Sequence, residues 1–206
     1  ALKLDELNMY DLYVPIVEAP KKEIPYEEAL KQVENGLKPL GEEYIKYLKE
    51  GFTNGWIDVY ENQGKTGGAY SWGSYKTHPY VLLNYQGTIN DVFTLAHEMG
   101  HALHSFYTNK TQPYIYSEYK IFVAEVASTV NESLLIRYML DNTNDKTEKA
   151  YLLNHYLEQF RGTVFRQTMF AEFEKIIHGK YQNGEALTAE SLSKIYLDLN
   201  KKYFEP

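Results

Sequence analysis

The sequence predicts a mainly helical fold that contains one small β-sheet. Long segments with helical apolar periodicity fill the second half of the chain, whereas three short strand-like segments lie between Trp56 and Tyr85. The strand-like segments are joined by Gly-rich or His-Pro turns. A length of 206 residues with 44% hydrophobic and 15% aromatic content allows one domain with a real core and excludes general disorder.

The first part of the chain is predicted to hold an extended segment, a helical hairpin and the three strands. Residues 1–24 are predicted to be extended because Pro15 and Pro20 break any helix. Residues 25 to about 52 are predicted to form the hairpin, interrupted near Gly36 and Pro39. The predicted strands are residues 56–60, 68–72 and 80–85.

Long helices are predicted for the rest of the chain. The first runs from about residue 89 to 108, with Asn90 or Thr88 as its N-terminal cap. Asn183-Gly184 marks a turn before the last helix. The further helices are predicted at about 117–141, 145–178 and 188–203.

Composition and charge indicate which binding partners and which cellular compartment the chain is suited to. The net charge is −7 without any block of Lys and Arg, which argues against nucleic acid or an anionic membrane as partner. No apolar run reaches the length of a membrane span, and the N-terminus lacks a signal-peptide pattern. The chain has no cysteine, so disulfides and thiol nucleophiles are excluded. A reducing cytoplasm is the predicted location.

The pattern His-Glu-Met-Gly-His at residues 97–101 is H-E-x-x-H, which is typical of helix-borne zinc sites. Histidines at i and i+4 lie one turn apart on one helix face, so both imidazoles can reach one metal ion. Glu98 is left free to take a proton from a metal-bound water. Apolar residues surround the motif on both sides, where polar groups are costly unless paired or coordinated. The motif therefore predicts one Zn²⁺ per chain, held in part by His97 and His101.

A catalytic zinc normally has three protein ligands, so a third must be found. The metzincin pattern does not fit, because its last histidine position is Tyr107 and its glycine position is His104. A carboxylate from the next helix is the other solution, and Glu125 is favoured because it lies in an apolar stretch. Glu118 lies among tyrosines and a lysine and is predicted to be exposed at the start of a helix. Glu132, two turns beyond Glu125, could instead accept a hydrogen bond from a ligand histidine.

His104 falls near the same helix face as the motif histidines. One straight helix cannot bring three ligands onto a tetrahedral metal. A packed histidine, or one that supports a ligand, is therefore the preferred interpretation.

Several stretches together resemble a known family. They are Gly-Ala-Tyr-Ser-Trp-Gly at 68–73, Thr-His-Pro-Tyr at 77–80, Leu-Asn-Tyr-Gln at 83–86, the approach to the zinc motif from Asp91, and Phe-Val-Ala-Glu-Val-Ala-Ser at 122–128. With them the chain is similar to oligoendopeptidase F in the thimet-oligopeptidase (M3) family of zinc peptidases. The resemblance implies a zincin-like (gluzincin) core with long helices and makes Glu125 the third zinc ligand. It also favours a strand at 68–72 that lines the substrate cleft.

The resemblance implies a metalloendopeptidase that hydrolyses short, unstructured oligopeptides, with Glu98 as the catalytic residue that activates the zinc-bound water. Family members are longer, so residues 1–206 are expected to be a catalytic-core fragment of the M3 domain. The expected fragment lacks an N-terminal helical region and a C-terminal segment whose His and Tyr residues bind the substrate carbonyl. The alternative function is a zinc- and peptide-binding fragment with little or no turnover.

Overall fold

In the computed structural model, which describes residues 8–20 and 22–204, seven α-helices and three short strands follow one another along the chain. The predicted mainly helical fold with a small sheet is confirmed. The described residues form two compact units, one of residues 22–144 and the other of residues 8–20 with 145–204. The first unit contains α1 (Tyr26–Leu37), α2 (Glu42–Thr53), β1 (Ile57–Asp58), β2 (Tyr70–Trp72), β3 (Tyr80–Leu82), α3 (Ile89–Thr111) and α4 (Ile121–Asn142).

The helical hairpin predicted for residues 25–52 is confirmed by α1 and α2. A 3-10 turn, Lys38–Leu40, separates the two helices, and Pro39 lies at its start. Gly41 follows with a φ of 94°, a conformation that glycine adopts without strain. Pro39 and Gly41 thus turn the chain between the two helices.

The three strands form one sheet in the order β1-β3-β2. β1 is parallel to β3, with Ile57 opposite Val81, and β2 is antiparallel to β3, with Ser71 opposite Val81. The strands are shorter than predicted, although backbone bonds from Val81 N to Trp56 O and from Tyr85 N to Val59 O extend the β1–β3 pairing. Among the described residues, β2 is an edge strand, so one side of its backbone is free of strand partners.

α3 is the central helix of this unit, and it packs against α1, α2, α4 and the sheet. Its cap is Thr88 rather than Asn90, and it extends three residues beyond the predicted end. The apolar face predicted around the zinc motif is buried: Val92, Leu95, Ala96, Met99, Ala102 and Leu103 are fully enclosed. This burial fixes the helix that carries the motif.

The prediction that α4 begins near residue 117 is wrong. Pro113 is followed by a short 3-10 turn, Tyr114–Tyr116, and α4 starts only at Ile121, after an extended Lys120. Proline fixes an extended entry into this connection, which delays the helix. Glu118 consequently lies in the connection and not on α4.

The second unit contains α5 (Lys146–Gln159), α6 (Arg166–Gln182) and α7 (Ala189–Phe204). The single helix predicted at 145–178 is interrupted by a π-helical stretch, Phe160–Phe165, which contains Gly162. The turn at Asn183-Gly184 is confirmed, with Gly184 at a φ of 78°.

Within the segment predicted to be extended, Met9–Tyr13 is a 3-10 turn. The Asn8 backbone N–H donates to Asp11 Oδ2 at 2.9 Å and stabilises this turn locally. Residues 1–7 of that segment lie outside the described part of the chain. None of the described helices combines the length and the apolar composition that crossing a membrane requires.

Candidate metal centre

α3 presents the two motif histidines on one face. Its start is fixed by Thr88, whose Oγ1 accepts from the Asp91 backbone N–H at 3.3 Å, while Asp91 Oδ2 accepts from the Thr88 N–H at 2.8 Å. One turn separates His97 from His101, and their Nε2 atoms lie 3.0 Å apart with the rings nearly perpendicular. Both ring nitrogens therefore point to the same small volume.

α4 crosses α3 at Gly100, the glycine inside the motif. A Cβ atom built at Gly100 would lie 2.7 Å from Ser128 Cα and 2.9 Å from the Ala127 carbonyl oxygen. Only glycine lets the two backbones approach this closely. The crossing places the first two turns of α4 beside the two histidines.

A buried polar contact holds the same crossing in register. Asn131, 1% exposed, donates through Nδ2 to the Ala96 carbonyl oxygen at 2.9 Å. The Tyr44 hydroxyl donates to Asn131 Oδ1 at 2.9 Å, so α2 is tied to the same amide. A buried amide with both ends satisfied specifies one arrangement of the three helices.

Glu125 is the carboxylate that the crossing brings to the histidines. Its Oε2 lies 3.5 Å from His97 Nε2 and 3.6 Å from His101 Nε2. Ser128 Oγ donates to the same carboxylate at 3.1 Å and restricts its orientation. Within the described residues, one group of three His, Cys, Asp or Glu side chains could hold a metal ion, and it consists of His97, His101 and Glu125.

The donor set fits Zn²⁺. Ligand bonds of about 2.0–2.2 Å in a tetrahedral arrangement separate the ligand atoms by about 3.4 Å. The three observed separations, 3.0, 3.5 and 3.6 Å, bracket that value. Two neutral imidazoles and one carboxylate are also the donors of catalytic zinc sites with an open fourth position.

Glu132 lies behind His97, and the hydrogen bond considered from the sequence is confirmed. The His97 Nδ1–H donates to Glu132 Oε1 at 2.5 Å, which leaves the Nε2 lone pair directed toward His101 and Glu125. Burial lowers the pKa of His97, but the hydrogen bond and charge of Glu132, together with the charges of Glu98 and Glu125, raise it by more than burial lowers it, so the net shift is upward. Glu132 thus fixes both the tautomer and the ring orientation of His97.

The pKa of His101 is shifted downward, which favours the neutral imidazole. Burial lowers the pKa of the His101 imidazole, and the neighbouring His97 lowers it further, although Glu125 acts in the opposite direction. A neutral imidazole is the form that binds a metal ion.

Glu98 is 7% exposed, and its Oε2 has no hydrogen-bond partner within the part of the chain that the structure describes. Burial raises the pKa of Glu98 to about 7, and the carboxylates of Glu125 and Glu132 contribute to the rise while His97 opposes it. A carboxylate with a pKa near neutrality is suited to accept and return a proton.

Glu125 lies beside the two histidines, as the sequence predicts, but it is not buried in an apolar environment. Its side chain is 41% exposed, and its neighbours Phe122 and Val126 are exposed as well. Glu118 is exposed and lies outside the cluster. His104 packs, as predicted, with its ring stacked on Tyr119 at 3.9 Å between centroids.

Sequence reasoning missed the residues that position the cluster. Gly100 was visible inside the motif, but its role depends on a helix crossing that no local pattern reveals. Asn131 and Ser128 lie six and three residues after Glu125. Their polar side chains within an apolar helix are the available signal.

Comparison with known proteins decides the family. The sequence profile of peptidase family M3 matches residues 1–206.

The chain belongs to peptidase family M3.

The chain is 59% identical over 203 residues to oligopeptidase PepF from Bacillus subtilis (strain 168), covering 98% of this chain and 30% of that protein. It is 50% identical over 203 residues to the chromosomal oligoendopeptidase F from Lactococcus lactis subsp. cremoris, covering 98% of this chain and 34% of that protein. The chain therefore spans about a third of the length of these curated relatives.

Among solved structures, oligoendopeptidase-F from Enterococcus faecium is similar to this chain. The TM-score is 0.61 at 36% sequence identity, over 100% of this chain and 28% of that one. This similarity and the family match confirm the predicted resemblance and fold class.

Proposed function

We propose that the chain is a zinc-dependent endopeptidase unit that hydrolyses short oligopeptides. One observation supports this most directly: two imidazole nitrogens and a carboxylate oxygen converge within 3.6 Å beside a buried glutamate. Family membership supports peptide hydrolysis as the reaction class.

His97, His101 and Glu125 would hold the metal ion. When bound, zinc supplies Lewis-acid chemistry, which makes water more acidic and polarises a carbonyl group. Glu132 keeps His97 in the ligating tautomer, and Ser128 keeps the Glu125 carboxylate turned toward the histidines.

Glu98 would act as general base and then general acid. It precedes His101 by three residues on α3, so its buried carboxylate lies beside the metal-ligating face but is not part of the ligand cluster. It would accept a proton from the attacking water and return that proton to the amine leaving group. Its raised pKa makes both transfers feasible near neutral pH.

The free edge of β2 would bind the peptide backbone. Main-chain hydrogen bonds to an edge strand hold an extended peptide largely independently of its sequence. Gly67 and Gly68 precede β2 with open space around them, and Asn84 Nδ2 donates to the Gly68 carbonyl oxygen at 2.9 Å. Asn84 thereby fixes the loop that leads into the edge. Cytoplasmic location remains our proposal, because the chain has no cysteine.

The test is hydrolysis of an internally quenched peptide by the zinc-loaded chain. We expect chelation to abolish turnover, and Glu98→Gln to lower it by about 10²–10⁴-fold while zinc remains bound. Glu27→Gln, an exposed carboxylate on α1, is the matched control and should leave turnover unchanged. Turnover that survives both chelation and Glu98→Gln would refute the proposal. Zinc binding without any turnover would favour a zinc- and peptide-binding function instead.

A further inference from the structure

A pocket of about 690 Å³ opens beside the C-terminal half of α3, within the unit formed by residues 22–144. Ser105 and Asn109 of α3 form one wall. The residues just after β2, beginning with Gly73, form a second wall, and the connection between α3 and α4 forms the third wall. This volume lies within the range of pockets that bind small ligands.

The pocket continues the metal centre along α3. Ser105 and Asn109 follow His101 along α3 at intervals of four residues, and each interval advances about 6 Å and rotates the side-chain direction by about 40°. β2 ends at Trp72, and the pocket begins at Gly73, the next residue. A peptide extended along β2, at about 3.3 Å per residue, would place a side chain in this pocket about two to four residues from the reacting bond, because Ser105 and Asn109 lie about 6 and 12 Å beyond His101 along α3.

Glu118 gives the pocket a negative wall. Its carboxylate is exposed and forms no ion pair or side-chain hydrogen bond within the described residues. Lys76 and Lys120 follow the lining residues Tyr75 and Tyr119 in sequence, but neither lysine lines the pocket. Lys110 of α3 donates instead to the Tyr47 hydroxyl on another side of the helix. No cation of the pocket wall therefore neutralises Glu118.

Two tyrosines flank this carboxylate. The Tyr114 ring packs edge-on against Tyr75 at 5.4 Å between centroids, and Tyr119 is fixed by a hydrogen bond with Ser105 Oγ and by its stack on His104. Burial lowers the pKa of His104, so the stack adds no positive charge behind the pocket. Aromatic faces beside a carboxylate favour a cationic group through cation–π and ionic attraction.

We propose that this pocket binds a Lys or Arg side chain of the peptide substrate close to the scissile bond, with Glu118 as the specificity-determining residue. The proposal rests on the proposed peptidase function for the placement of the peptide. The recognition itself depends only on the carboxylate, the two tyrosines and the shape of the pocket.

Binding of short fluorescent peptides to the zinc-loaded Glu98→Gln chain tests the proposal without requiring turnover. The peptides consist of Ala and Gly and differ only in a single Lys, Glu or Ala, which is moved through every position. At one position we expect the Lys peptide to bind about three- to tenfold more tightly than the Glu peptide. Glu118→Gln should remove this difference, and Glu118→Lys should reverse it.

Glu27→Gln is the matched control, because it removes an exposed carboxylate of the same unit far along the chain from the pocket. It should leave the charge preference intact, which separates a local effect of Glu118 from the net charge of −7. A preference for Lys at every position that Glu118→Gln does not change would overturn the proposal. Absence of binding by all the peptides would overturn it as well.

Hydrolysis by the unmodified chain, measured with the same peptides, distinguishes this proposal from the proposed function. Turnover without any Lys preference would leave the peptidase function standing and refute the pocket assignment. A Lys preference in binding that depends on Glu118, without turnover, would support the pocket and count against the peptidase function.

Discussion

The candidate metal centre depends on Glu132, which orients His97 without belonging to the candidate ligand set. The Nδ1 of His97 hydrogen-bonds to Glu132, 35 residues later on α4, and this contact decides which ring nitrogen carries the proton. The H-E-x-x-H pattern gives the candidate ligands directly, since spacing alone puts His97 and His101 on one face. It cannot give their orientation, because that is set by side chains from another helix.

Glu132→Gln should therefore weaken zinc binding without removing a ligand. The variant keeps an acceptor for His97 but loses the negative charge that increases the basicity of the ring. We expect zinc affinity to fall by about tenfold or more. Competition with a chromophoric chelator measures this, with Glu27→Gln as the control. Unchanged affinity in Glu132→Gln would show that the contact has no influence on the metal.

Because His104 is partly buried, we expect the free energy of unfolding to depend on pH. Burial lowers the pKa of His104 in the folded chain below its usual value of 6.5, so below that pH the unfolded chain binds a proton that the folded chain resists. The contribution of His104 to the free energy of unfolding is thus complete above about pH 6.5 and is lost as the pH falls.

His104→Phe keeps a ring against Tyr119 and removes the titration. In the metal-free chain, urea unfolding of both proteins should show the variant gaining stability relative to the parent from pH 7.5 to 5. A difference that does not change over this range would contradict the assignment.

At the scale of helices and strands, the sequence predicted the elements that depend on local apolar periodicity and on turn residues. The hairpin of α1 and α2, the presence of three strands and the start of α3 all follow from periodicity and turn residues. The starts of α4 and α6 were missed, because Pro113 directs the chain into a 3-10 turn and a π-helical stretch interrupts the α5–α6 segment. Glu125 was predicted to be buried, yet it is 41% exposed, because burial depends on which face of α4 meets α3.

The crossing of α3 and α4 gives a prediction for Gly100→Ala. The added methyl group would lie 2.7 Å from Ser128 Cα, so the helices must separate. We expect a loss of about 1–3 kcal/mol in the free energy of unfolding and a weaker zinc site, because Glu125 moves away from the histidines.

Gly179→Ala, in α6, is the matched control, since nothing lies within 4 Å of the added methyl group. It should stabilise the chain slightly through helix propensity. Chemical unfolding of both variants measures these effects. Equal stability and zinc affinity in Gly100→Ala and the parent would refute the close crossing as a determinant of the site.

At the scale of the whole molecule, the described residues provide a candidate metal centre, a buried glutamate and an edge strand within one unit, 22–144. The family and the cluster of His97, His101 and Glu125 could be predicted from two short motifs, because zinc chemistry requires those residue types at those spacings. The pocket around Glu118 could not be predicted, because its walls come from three segments that only the folded chain brings together.

Zinc affinity, measured by chelator competition on the purified chain and four variants, tests the central claim most directly. We predict one tightly bound zinc ion per chain. His101→Ala and Glu125→Gln should weaken binding more than Glu132→Gln does, whereas Glu118→Gln should bind like the parent. Parent-like affinity in Glu125→Gln, or a loss confined to Glu118→Gln, would contradict the assigned metal centre.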